Sequence, residues 1–89
     1  MLTAIGSDPS EWKGTYIKFS LSREQPESGE TSVWDVTAKA GEFLGEVRWF
    51  PKWRKYSFFP APVCVFEEVC LGDIGDFLKW ATDAHEHGV

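Results

Sequence analysis

Residues 32–59 read SVWDVTAKAGEFLGEVRWFPKWRKYSFF, and this stretch decides the fold. Apolar and polar side chains alternate through 32–39, 42–50 and 53–59, which is the period of a strand with one buried face. Ala40-Gly41 and Pro51-Lys52 fall between these runs, where two-residue hairpin turns would sit. Opposed residues on paired strands share a face, so such turns fix a register. They set Lys39 against Glu42, Val36 against Gly45 and Trp34 against Val47 in the first hairpin. In the second they set Trp49 against Arg54, Arg48 against Lys55, Val47 against Tyr56 and Gly45 against Phe58. One face then carries Trp34, Val36, Ala38, Phe43, Gly45, Val47, Trp49, Arg54, Tyr56 and Phe58, and is the expected core side. Arg54 would stack there on the indole of Trp49. The other face carries Asp35, Thr37, Leu44, Glu46, Arg48, Phe50, Trp53, Lys55, Ser57 and Phe59, polar with aromatic rings at its ends. The two turns are placed independently and give the same partition.

Residues 14–21 alternate in the same way, with Ile17, Phe19 and Leu21 on one side and Tyr16, Lys18 and Ser20 on the other. Residues 1–13 have weak periodicity and the turn chemistry of Asp8-Pro9-Ser10, and are expected to be a loose lead-in. Residues 22–31, SREQPESGET, hold no large apolar residue and read as a mobile loop. After a short apolar run at 63–66, Leu71, Ile74, Leu78 and Ala81 recur at helical spacing, which predicts an amphipathic helix over about 67–86. Glu67 and Glu68 suit its N-terminus and Gly88 its end. Gly72 and Gly75 cost about 1 kcal/mol each against Ala, so the helix depends on packing against the sheet. The expected architecture is α+β: a four-stranded antiparallel meander, with room for a short fifth strand, and one C-terminal helix on one face. Trp34, Val47, Tyr56, Ile74 and Leu78 should meet in one cluster between sheet and helix.

The chain has 89 residues, a single-domain length. Its 43% hydrophobic and 16% aromatic content exclude a disordered chain. A domain this small leaves little room for an enclosed active site, because its large rings must supply most of the core. The net charge of −5 disfavours a general nucleic-acid coat or an anionic membrane surface as partner. The charge is segregated. From Glu67 onward six carboxylates face Lys79 alone, whereas the first 66 residues are balanced and gather Arg48, Lys52, Arg54 and Lys55 around one turn. Cys64 and Cys70 read as buried thiols, since nothing at the N-terminus resembles a secretion signal. With no apolar run of membrane-spanning length, the expected location is the cytosol, with no membrane partner.

Residues 44–60, LGEVRWFPKWRKYSFFP, followed by CLGDIGDFL at 70–78, resemble a small family of proteins encoded by bacteriophages and prophages. The resemblance covers roughly 40% of the chain and is carried by the Trp49-x-x-x-Trp53-Arg54-x-Tyr56 core and the Cys70–Leu78 segment. It implies a role in antagonising host defence, among classes that include anti-CRISPR proteins and sponges for signalling nucleotides.

Two surfaces are candidates for recognition. Arg48, Phe50, Lys52, Trp53 and Lys55 form a basic-aromatic hairpin, with Tyr16 and Lys18 on the neighbouring strand. Cations of this kind hold phosphate or carboxylate, and rings stack on bases, so the hairpin would suit single-stranded nucleic acid or a signalling nucleotide. Asp73, Asp76, Trp80 and Asp83 recur at helical spacing and form an acidic stripe around one exposed indole, suited to docking on a basic host protein. His85 and His87 are two apart and share no helix face, so no metal site is expected. The chain has no glycine-rich phosphate loop, nucleophile elbow or paired-cysteine zinc motif, and its histidines lie only in the terminal turn. It therefore reads as a non-enzymatic protein without a cofactor; the resemblance, together with the charge segregation, implies one that inhibits a host process by surface recognition, with anion binding as the alternative.

Overall fold

In the computed structural model, which describes residues 11–86, five strands follow one another as an antiparallel meander and a single helix closes the chain. The elements are β1 (Glu11–Lys13), β2 (Ile17–Leu21), β3 (Trp34–Ala38), β4 (Phe43–Phe50), β5 (Lys55–Pro60) and α1 (Glu68–Glu86). Alternation and helical period thus build the α+β architecture they predict. The fifth strand is β1, in the stretch expected to be loose; residues 1–10 of that stretch lie outside the described residues. Trp12 holds β1 in place. It pairs with Phe19, and its ring meets Phe77 at 5.3 Å and Trp80 at 5.2 Å.

Both connections around β4 are longer than two residues, and the two errors have different consequences. Between β4 and β5 the turn spans residues 51–54, closed by the Arg54 N–H donating to the Phe50 carbonyl at 2.9 Å. The register therefore slides by two: Trp49 pairs with Tyr56, Val47 with Phe58, and Arg48 with Ser57 instead of Lys55. An even slide keeps every face, so Tyr56 and Phe58 remain on the core side. Arg54 leaves the strand for the turn, exposed and at φ 55°, and the Trp49 ring is met instead by His85 at 4.4 Å and Tyr56 at 5.3 Å.

Between β3 and β4 the slip is odd. Val36 pairs with Gly45 as expected, but Thr37 pairs with Phe43, so Leu44 is an extra residue without a partner across the ladder. This bulge exchanges two side chains: Leu44 turns into the core, and Phe43 turns outward, where 47% of it is exposed. Gly45 makes the bulge feasible. Its φ is +150°, and a Cβ there would come within 2.5 Å of the Phe59 carbonyl oxygen and 2.9 Å of the Pro60 Cα.

The helix seam differs in phase from the expected one. Cys70, Ile74, Phe77 and Ala81 face the sheet, Leu78 and Trp80 flank them, and Leu71 is left exposed. The expected cluster of Trp34, Val47, Tyr56, Ile74 and Leu78 does form, around Phe77. Glu67 caps α1: its carbonyl accepts from the Leu71 N–H at 3.0 Å, and its carboxylate accepts from the Cys70 N–H at 2.8 Å. At the edge strand, Thr82 Oγ1 accepts the outward N–H of Tyr56 at 3.0 Å, so α1 covers part of an edge that would otherwise be open. N–H groups along β5 alternate in direction, which places Pro60 at an outward position where no ladder bond is lost.

The loop of residues 22–31 has no strand pairing but is anchored. The Gln25 side chain accepts from the Val33 N–H at 2.9 Å and donates to the carbonyls of Val33 and Ser22 at 2.7 and 2.8 Å, closing the end of the β2–β3 pair.

Two substitutions should move stability in opposite directions. Gly45→Ala should cost about 2–4 kcal/mol, from strained backbone plus a steric clash with β5. Val63 sits at φ 64° with its side chain fully exposed, so Val63→Gly loses no packing and should stabilise by up to about 1 kcal/mol. Urea midpoints at unchanged m-value would measure both.

Candidate recognition surface

The helix covers one face of the sheet, and the opposite face stays open. On that open face the hairpin rings gather: Trp53 meets Phe50 edge-on at 4.8 Å, and Phe59 lies 6.1 Å from Phe50. The turn is pinned by the Trp53 and Arg54 N–H groups on the Phe50 carbonyl, at 3.2 and 2.9 Å. Trp53 nevertheless remains 65% exposed. The five hairpin residues expected to act together are thus divided. Phe50 and Trp53 come together, whereas the cations do not converge. Arg48 is bound by Glu46 at 2.7 Å, two positions along its own strand. Lys55 borders a groove of about 390 Å³ between β5 and α1, beside Lys79, Asp83 and Glu86. Lys52 is exposed in the turn.

The acidic stripe is divided too. The Asp73 carboxylate accepts from the Thr15 N–H at 2.7 Å, tying α1 to the β1–β2 turn. The approach is close enough that a Cβ on Gly14 would clash with the Asp73 carboxylate. Trp80 is not an exposed indole: its ring packs against Trp12, Phe77 and Trp34 at 5.2, 5.6 and 6.2 Å. Burying the indole follows from the phase of the seam, which turns position 80 toward β1 and β3. Asp76 and Asp83 remain exposed.

Lys13, Lys18 and Lys39 form a second basic group on the open face, bordering a concavity of about 270 Å³. Sequence reading missed it because Lys13 lies in the stretch taken as lead-in and Lys39 was set against Glu42. The alternation of Trp12 and Lys13 just before Gly14, mirrored by Lys18 and Phe19 after it, was the available signal.

The His85 ring lies 4.4 Å from that of Trp49, tilted by 41°, and His87 lies outside the described residues. Among the described residues no three His, Cys, Asp or Glu side chains gather as metal ligands, and no helix is long and apolar enough to cross a membrane. Cys64 and Cys70 are free thiols, partly rather than fully buried. Burial, with Glu67 beside it, raises the Cys70 thiol above its ordinary pKa, which leaves it a poor nucleophile.

The cap on α1 has a pH signature. The backbone N–H of Cys70 holds the Glu67 carboxyl below its ordinary value of 4.5. A lowered folded-state pKa contributes stability that is fully present above the unfolded value and is lost as pH falls through the folded one. Glu67→Ala should therefore be less stable than the wild type at neutral pH, with the gap narrowing as pH falls below 4.5. Urea unfolding of both proteins across a pH series would show it. Comparison with protein-family models, curated proteins and solved structures finds no match to this chain, so the reading of its function rests on the chemistry of these surfaces.

Proposed function

We propose that this chain is a non-enzymatic binding protein that blocks a host protein by surface recognition, through the aromatic tip of the β4–β5 hairpin. The observation that carries the reading is Trp53, largely exposed on a hydrogen-bonded turn and backed by Phe50 on a sheet face the helix leaves open. Tryptophan on a pinned turn gives a large contact area at little entropic cost, as binding hot spots require. The resemblance of residues 44–78 to phage-encoded proteins supports a host target and an anti-defence role of the anti-CRISPR kind.

Protein is favoured over nucleic acid at this hairpin by its electrostatics. Phosphate recognition needs converging cations, yet Arg48 is committed to Glu46 and Lys55 stands across from Phe50 instead of Arg48. The acidic helix is the weaker docking surface, since Asp73 tethers the β1–β2 turn and Trp80 is partly buried against the core.

A photo-crosslinking residue at position 53 should capture the target in a bacterial lysate, and one at position 76 should not. With the identified target purified, Trp53→Ala should weaken binding at least about tenfold while leaving thermal stability nearly unchanged. Capture from position 76 alone, or undiminished binding by Trp53→Ala, would move the interface to the helix.

A further inference from the structure

We infer that Lys13, Lys18 and Lys39 form an anion site for a diphosphate group, at the opposite corner of the open face from Trp53. Three chain segments build it. Lys13 on β1 and Lys18 on β2 are directly opposed in the register, and Lys39 follows β3. The Lys39 N–H donates to the Tyr16 carbonyl at 3.0 Å, which locks the β3–β4 turn to the β1–β2 turn and fixes the third lysine beside the other two. The concavity is about 270 Å³, and among the described residues these three lysines line it.

Opposed like charges on neighbouring strands are destabilising unless something lies between them. None of the three lysines makes an ion pair with a described carboxylate. The acids of the same face, Glu11, Asp35 and Glu46, stand in the next cross-strand row, and Glu46 is taken by Arg48. A chain of net charge −5 thus gathers three cations in one place with no ion pair to a described carboxylate. A single carboxylate would meet too few of them. Two linked phosphoryl groups carry enough charge and enough acceptor oxygens to bridge all three ammonium groups, and lysine binds phosphate as a point charge without bidentate geometry. The diphosphate belongs to a small molecule, because an extended strand would need a charged track running on from this corner, where Thr37 and Phe43 follow instead.

Calorimetric titration of the full chain with inorganic pyrophosphate at low salt should show saturable binding of one equivalent. Lys18→Gln and Lys13→Gln should each weaken it at least about tenfold, whereas Lys52→Gln, which removes the same charge elsewhere, should leave it unchanged. Thermal unfolding supplies an independent reading. Without ligand, Lys18→Gln should melt no lower than the wild type, because a repulsion has been removed, and pyrophosphate should raise the melting temperature of the wild type and of Lys52→Gln more than that of Lys18→Gln. No binding at low salt, or equal weakening by Lys52→Gln, would overturn the site. Binding of a single-stranded oligonucleotide without binding of pyrophosphate would overturn the small-molecule assignment.

Discussion

Phe77 is fully buried at the centre of the protein, and its ring lies parallel to Phe19 at 4.2 Å with 3° between the planes. Trp34 and Trp12 meet it edge-on at 5.0 and 5.3 Å, and Trp80 lies at 5.6 Å. One helical side chain thereby touches β1, β2, β3 and its own helix. Burying a phenylalanine contributes roughly 1.5–3 kcal/mol, and each well-placed ring pair adds about 0.5–1.5 kcal/mol. In a domain whose whole margin is of the order of 5 kcal/mol, that ring is decisive. It holds a helix that carries Gly72 and Gly75, and it turns a three-residue β1 into an edge strand with a packed tryptophan. The phase of α1 follows from seating Phe77, and so do the exposure of Leu71 and the burial of Trp80.

A single helix can cover only one side of the sheet. The face away from it is then free to carry side chains that contribute little to folding, and the cations at one corner and the rings at the other are of that kind. Two acids at the helix do structural work by contrast: Glu67 caps α1 and Asp73 grips the β1–β2 turn. The segregation of charge along the chain is therefore not a segregation of recognition surfaces. Two of the six carboxylates from Glu67 onward hold the helix, while three of the described lysines stand on the open face without an ion pair.

What could be read from the sequence depended on parity. Strand faces follow a period of two, so misjudging the length of the β4–β5 turn by two residues left Tyr56 and Phe58 on the right face but lost Arg54 and the pairing of Arg48 with Lys55. The bulge at Leu44 is a one-residue insertion, which no alternation pattern reveals, and it reversed Phe43 and Leu44. Gly45 was its only trace, since a glycine inside a strand marks a bulge or a close backbone approach, and here it does both. The helix was legible as a helix, but its phase was not: Leu71 and Phe77 fit a buried stripe equally well by spacing, and the pocket made by Phe19 and Trp34 decides between them. The recognition surfaces were less legible, because charge pairing is a three-dimensional property. Arg48 and Glu46 are two apart on a strand and so share a face, which cancels a cation that sequence reading counted as free.

The arrangement of the β1–β2 turn shows how the two faces are linked. Thr15 gives its N–H to Asp73 on the helix side, and the adjacent Tyr16 carbonyl accepts from Lys39 at the β3–β4 turn. The same short turn is thus held from the helix and from the sheet. Lys13 precedes it and Lys18 follows it, so the two lysines are kept opposed by a turn that cannot relax outward without breaking the Asp73 contact or the Lys39 bond. Cross-strand repulsion between them would otherwise fray a three-residue edge strand. The core side of β1, through Trp12 on Phe77, supplies the packing that offsets this repulsion. The charge cluster on the open face is therefore stabilised by the aromatic cluster beneath it.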